Sequence, residues 1–209
     1  MVRPAGIRSE PYASVVDTLT APPPLLDLVR RAEPVTGEEL ARIPDLGPGE
    51  LVRGKFIPMS PTNWRHGEYV DDIAHALGRF VRARKLGKVL TGEVGVYTER
   101  DPDTVRGADV LFISHERLAR VTSQSYLDVA PELVVEVFSP GNTWDEMRRK
   151  VAEYLGAGAE RVWVVEPERR AVHVYRAPDE ATVLGAGDVL RGEGLLEGFA
   201  LPLDALFGG

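Results

Sequence analysis

The sequence predicts an α/β domain built on a mixed sheet flanked by helices, and three observations predict it. Pro131-Glu132-Leu133-Val134-Val135-Glu136-Val137-Phe138-Ser139-Pro140 is a nearly continuous apolar run bounded by prolines, the signature of a buried strand. Asn63 to Lys85 carries Val70, Ile73, Leu77, Phe80 and Val81 at helical spacing, the stripe of a long amphipathic helix. From Asn63 to Glu166 the segments run helix, strand, strand, strand, helix, strand, an order that packs helices against a sheet.

Taken in order, residues 1–35 read as an N-terminal extension and residues 36–209 as a single domain, without repeats. The extension carries Pro4, Pro11 and Pro22-Pro23-Pro24, with one helical turn expected at Leu25 to Arg31. Such an arm is either loose or packed on a neighbouring subunit. Thr36-Gly37-Glu38-Glu39 has capping-box spacing and opens a short helix to about Ile43. Glu50 to Met59 reads as a hairpin about Arg53-Gly54. The long helix follows, with Gly87 expected to stop it. Lys88 to Tyr97 is a strand, Arg100 to Arg106 a charged turn, and Ala108 to Ser114 the next strand. A polar excursion from His115 to Asp128 leads into the Glu136 strand. Thr143-Trp144-Asp145-Glu146 is a second capping box, opening a helix to about Leu155 that buries Trp144, Met147, Val151, Tyr154 and Leu155. Arg161 to Glu166 and Ala171 to Arg176 form a hairpin, and short strand-like pieces complete the chain to Pro202 to Leu206.

Composition narrows the function classes. The chain has 209 residues and no cysteine, so disulfides and zinc-thiolate modules are excluded. No run reaches the ~18 apolar residues of a membrane span, and the first residues lack an apolar signal segment, so the expected location is cytoplasmic. The net charge of −7 argues against a protein that coats nucleic acid nonspecifically, but leaves room for a local basic patch. Arginine outnumbers lysine, and Asn and Gln are scarce; a thermophile and a GC-rich genome both fit this bias.

Glu136 is the informative residue. A carboxylate inside an apolar strand is costly unless it is paired or binds a metal. Its nearest candidate partner is Asp109, at the start of an earlier strand and on one face with Leu111 and Ile113. If those strands are neighbours, the two acids converge on one end of the sheet and make an oxygen-rich site suited to Mg²⁺ or Mn²⁺.

The segment order is similar to the restriction-endonuclease-like core with its PD…(D/E)xK signature, and several motifs resemble the Uma-two (Uma2) family of nuclease-like domains, also known as domain of unknown function 820. They are Glu50-Leu51-Val52-Arg53-Gly54-Lys55, Met59-Ser60-Pro61 leading to His66, Arg106-Gly107-Ala108-Asp109-Val110, and the Pro131 to Pro140 run. Lys150, Tyr154-Leu155 and Arg161-Val162-Trp163-Val164-Val165 complete the set, which spans roughly Thr36 to Arg176. The resemblance implies an αβββαβ core. It implies a metal-dependent endonuclease acting on DNA, with Mg²⁺ or Mn²⁺ as cofactor and a homodimer as the working form. It further implies that Asp109 bridges the metal, that Glu136 and the backbone carbonyl of Val137 are further ligands, and that Lys150 replaces the signature lysine. Glu50 would be an accessory acid, and His66 would lie at the mouth of the site.

Two positions depart from the signature. Ala108 stands where a proline usually precedes the aspartate, and Phe138 stands where a strict ExK motif has lysine. A phenylalanine orients no water and offsets no phosphate charge. Lys150, between Met147 and Val151 on the following helix, is the residue placed to substitute. Singly, each residue has a plainer reading: Asp109 a cap at the start of a strand, Glu136 half of a structural ion pair, Lys150 a solvated lysine, His66 a packed or capping histidine. His75, His115 and His173 show no ligand spacing, and Glu93 faces either the site or solvent. The basic cluster from Arg79 to Lys88 reads as a solvated helix end. The alternatives to a DNA nuclease are a nuclease-like fold kept as a binding or regulatory module, which Phe138 and the acidic charge favour, and hydrolysis of a smaller phosphate ester.

Overall fold

The computed structural model describes residues 28, 30–139 and 141–208. Most of the N-terminal arm, including most of the turn expected at Leu25 to Arg31, falls outside the described residues. Leu28 lies within them and is buried with Val35, Leu40, Leu51, Phe56, Tyr97 and Val105, so the end of the arm packs on its own chain.

Helix α1 (Gly37–Leu40) begins with the expected capping box: the Thr36 side chain accepts from the Glu39 amide, and the Glu39 carboxylate accepts from the Thr36 amide. Strands β1 (Gly49–Val52) and β2 (Lys55–Pro58) form an antiparallel hairpin. Its turn residues Arg53 and Gly54 both have positive φ, the combination that matches the twist of a two-residue hairpin. Helix α2 (Trp64–Arg84) is capped by Asn63, whose side-chain oxygen accepts from the His66 amide at 3.0 Å.

Three features differ from the sequence reading. Helix α2 is stopped by Lys85 in the left-handed conformation, φ 54°, rather than by Gly87. Gly87 instead opens strand β3 (Gly87–Glu99), where its missing side chain lets the backbone approach Ile113 and Ser114. Strand β4 (Thr104–Ser114) starts before Ala108, so Asp109 lies in mid-strand and not at its start. The reason is Arg106: its charge suggests an exposed turn, but it is buried between Glu50 and Glu153. The third concerns burial on helix α4 (Trp144–Gly156), which follows the short helix α3 (His115–Leu118) and strand β5 (Leu133–Val137). Met147, Val151 and Tyr154 are buried as expected, but Trp144 and Leu155, near its two ends, are only half-buried.

Strands β6 (Arg161–Glu166), β7 (Ala171–Ala177) and β8 (Glu180–Gly185) continue the sheet. The order is β2-β1-β4-β5-β6-β7-β8, with β3 also paired to β4. All pairs are antiparallel except β5–β6, the pair joined by the α4 crossover. A small ribbon, β9 (Val189–Arg191) with β10 (Ala200–Pro202), and helix α5 (Leu203–Phe207) complete the chain.

Period-2 alternation in the central strands feeds two cores. Val110, Phe112, Val135 and Val137 face Ile73, Leu77 and Val81 of α2, with Leu203 and Phe207 of α5 in the same core. Leu111, Ile113, Val134, Val162 and Val164 face Met147, Val151 and Tyr154 of α4. Among the described residues no helix is long and apolar enough to cross a membrane.

Candidate active site at the β4–β5 edge

Strands β4 and β5 pair Val110 with Val135 and Leu111 with Val134. Continuing that register sets Asp109 opposite Glu136, both on the face covered by α4. Both acids are buried, at 5% and 3% exposure. The Asp109 Oδ2 atom accepts from the Val137 amide at 2.7 Å, and His66 Nε2 lies 3.2 Å from the same oxygen. His66 reaches it from the first turn of α2, where the Asn63 cap holds the backbone. In an extended strand the N–H and C=O of one residue point to the same side, so the Val137 carbonyl also faces β4.

Glu136 turns to α4. Its Oε2 is 2.9 Å from Lys150 Nζ, and its Oε1 accepts from the Tyr154 hydroxyl at 2.8 Å. Lys150 and Tyr154 are one helical turn apart and so share a face. Lys150 also lies 3.0 Å from Glu50 Oε1. Glu50 in turn accepts from the Gly107 amide and from Arg106, 2.7 Å away, and Arg106 donates to Glu153. Lys150 therefore ties α4 to β5 and to the β1–β2 hairpin.

Sequence reasoning missed several members. Both Arg106 and Tyr154 stand in the family motifs, but the sequence reads Arg106 as part of a charged turn and Tyr154 as a core aromatic and gives neither a role in the site. Glu93, for which the sequence leaves both site and solvent open, faces the site. It sits with Gly92 at a bulge in β3, where the register with β4 shifts and both residues have positive φ. Glu93 is exposed by surface area, but a Cβ on Gly107 would come within 2.7 Å of its Oε2. Gly107 is thus the opening that admits this carboxylate. The signal available in sequence was Gly92 inside a strand pattern, since a glycine there marks a bulge. His75 and His115 are exposed; His173 Nε2 lies 2.9 Å from Glu166 Oε2. Of the basic cluster, Arg79, Arg82, Lys85 and Lys88 are exposed, and Arg84 lies over the Phe80 ring. Phe138, at the lost lysine position, stacks on Trp144 at 4.8 Å.

The electrostatics show a surplus of negative charge. Burial, followed by the Asp109 charge, pushes the Glu93 carboxyl up to about 7. Burial also pushes Glu136 up to about 8, with Asp109 and Glu50 adding to it and Lys150 opposing it. Burial alone would lower the Lys150 ammonium, but Glu136 and Glu50 outweigh it and raise it, so Lys150 is charged. Burial works to raise Glu50, yet Lys150 and Arg106 win and hold it low. Burial disfavours the His66 imidazolium, but Asp109 outweighs it and raises the ring's pKa. The single lysine against Glu136 does not offset the acids gathered there, and a hard divalent cation is the group such an oxygen-rich surplus suits. Among the described residues no three His, Asp or Glu side chains form a ready-made ligand cluster. The donor set fits a divalent ion held by few carboxylates, a main-chain carbonyl and water.

Residues 38–204 match the family model Uma2, described as "putative restriction endonuclease". Among solved structures, the chain is similar to a crystal structure of "a putative nuclease belonging to DUF820" from Anabaena variabilis. The TM-score is 0.71 and the identity 18%, over 84% of this chain and 98% of that one. At that identity the likeness concerns the fold. None of the curated proteins matches the chain significantly.

Proposed function

This chain belongs to the Uma2 family of restriction-endonuclease-like proteins, and on that premise we propose that it is a metal-dependent endonuclease hydrolysing phosphodiester bonds in DNA at the Asp109–Glu136–Lys150 constellation. The observation that carries the reading is Lys150 held 2.9 Å from a buried carboxylate that faces a second acid across adjacent strands. The signature lysine is lost at Phe138, and a lysine arrives at the same carboxylate from α4.

In this reading Asp109, Glu136 and the Val137 carbonyl would hold a Mg²⁺ or Mn²⁺ ion. Such an ion polarises the phosphate and lowers the pKa of a bound water. The chain's own groups do the rest. The Val137 amide and His66 fix Asp109 Oδ2, and Oδ1 accepts no hydrogen bond among the described residues, which suits it to the ion. Tyr154 and Lys150 fix Glu136. Lys150, kept protonated by two carboxylates, supplies positive charge where the pentacoordinate phosphate becomes more negative. Glu93, pushed up to about 7, is suited to accept a proton from the attacking water near neutral pH. Two copies acting as a homodimer would cut both strands.

The test is plasmid cleavage in Mn²⁺ and then Mg²⁺, with wild type beside Asp109→Asn. Nicking or linearisation by wild type alone supports the reading. Equal activity in both proteins, or none in wild type, counts against it.

A further inference from the structure

Beside the acids lies a cavity of about 520 Å³, large enough for a nucleotide. Its lining includes His66 and Val137, the two residues that hold Asp109 Oδ2, so it lies one residue away from the proposed reaction centre. At its rim stands Trp64, 72% exposed, the most exposed large apolar side chain among the described residues. The Arg65 guanidinium lies 5.1 Å from its ring. The lining also carries Phe138, backed by Trp144 in a stacked pair, and Glu166. Trp144 in turn lies 4.7 Å from the His173 ring, and His173 holds Glu166 Oε2 at 2.9 Å. Phe138, Trp144, His173 and Glu166 thus brace one another into a fixed wall. Glu166 is 7% exposed, and its other oxygen accepts no hydrogen bond among the described residues.

Chemistry selects the occupant. Aromatic faces at a rim and on a wall suit a flat ring. Glu68, Glu166 and Glu168 outnumber Arg65 and His66 in the lining, and the buried Glu166 oxygen in particular welcomes hydrogen-bond donors. A carboxylate only accepts, so the ring must present N–H groups: the amino group of cytosine or adenine, or the N1–H and amino pair of guanine, which offers two parallel donors. Thymine offers a single N–H flanked by carbonyls. A base enclosed in such a cavity is not stacked or paired in a duplex. We propose that this cavity takes an unpaired, amino-bearing nucleobase, guanine best of all, next to the phosphate that is cut. The inference rests on the nuclease reading and adds a substrate class to it: strands with an unpaired nucleotide at the scissile position.

The experiment measures fluorescence anisotropy of labelled nine-nucleotide dT strands whose central base is T, C, A or G, at one fixed salt concentration and with Ca²⁺ in place of Mg²⁺. The expected result is tighter binding of the G, C and A strands than of the all-T strand, by about fivefold or more. Trp64→Ala should weaken binding of all of them by about tenfold, and Trp64→Phe should restore most of it. Glu166→Gln should remove the preference among bases while keeping overall affinity. Equal affinities for the four strands, or Trp64→Ala binding like wild type, would overturn the inference. Plasmid cleavage that is lost in Asp109→Asn would then still leave the nuclease reading standing. Base-selective binding without cleavage would sink the nuclease reading and keep the base site.

Discussion

Lys150 Nζ stands 2.9 Å from Glu136 Oε2 and 3.0 Å from Glu50 Oε1, so one ammonium joins a helix, a central strand and a peripheral hairpin. The Lys150 side chain is 15% exposed and the two carboxylates less. Removing one partner from a buried ion pair leaves its counter-charges desolvated and unmatched, which costs ~3–5 kcal/mol.

Lys150→Met is therefore expected to lower stability by ~3 kcal/mol and to reduce cleavage by at least ~100-fold. Thermal unfolding measures the first effect, and plasmid cleavage by protein kept well below its Tm measures the second. A variant as stable as wild type would mean that Lys150 does not neutralise these acids. A stable, fully active variant would remove it from the mechanism as well.

Asp109→Asn separates metal binding from folding. The amide keeps the size of the carboxylate and an oxygen for the Val137 amide, so Tm should shift by only a few degrees (~1 kcal/mol). Saturating Mn²⁺ binds the folded state alone and should raise the wild-type Tm, by an amount equivalent to ~2.7 kcal/mol at a hundred times Kd. Chelation should return it, and Asp109→Asn should not respond. A Tm rise of equal size in both proteins would place the ion elsewhere.

The central acids were legible because their cost is local. A carboxylate inside Leu133–Val137 needs a partner whatever the rest of the chain does, and the αβββαβ order made β4 the place to look. The Asn63 to Lys85 helix and both capping boxes were legible for the same reason: their signals lie within a few residues. Arg106 and Tyr154 were not. An arginine reads as solvent-exposed until its partners are known, and Glu50 and Glu153 come from distant segments. Tyr154 reads as apolar until its hydroxyl meets Glu136. Glu93 needed the β3 bulge and the approach over Gly107, which only pairing with β4 creates.

The Thr143 cap should separate the scaffold from the chemistry. Thr143 accepts from the Glu146 amide, and Glu146 accepts from the Thr143 amide and hydroxyl, which fixes the start of the helix that carries Lys150. Thr143→Ala should cost ~1 kcal/mol, seen as a small drop in Tm. Cleavage at low temperature should remain close to wild type, because Lys150 lies more than a helical turn inside α4 and is anchored by Glu50 and Glu136. A large loss of activity with little loss of stability would show that the cap sets the position of Lys150.

Glu93 gives a pH signature in metal-free buffer. Its carboxyl is raised to about 7 in the folded protein, above the ordinary value near 4.3 for an unfolded glutamate. Between those two values the folded state holds a proton that the unfolded state has released, so folding stability falls as pH rises through this window. The loss is complete above the folded value and absent below the unfolded one. Because the side chain is partly exposed, solvent screening reduces the effect to ~1 kcal/mol. Glu93→Gln lacks the titration, so it should be more stable than wild type at pH 8 and equal to it at pH 4, in thermal unfolding with chelator present. Added Mn²⁺ should shrink the pH 8 difference by supplying the charge that the wild-type acids lack. A difference between the two proteins that stays constant from pH 4 to pH 8 would show that neither burial nor Asp109 raises the Glu93 carboxyl.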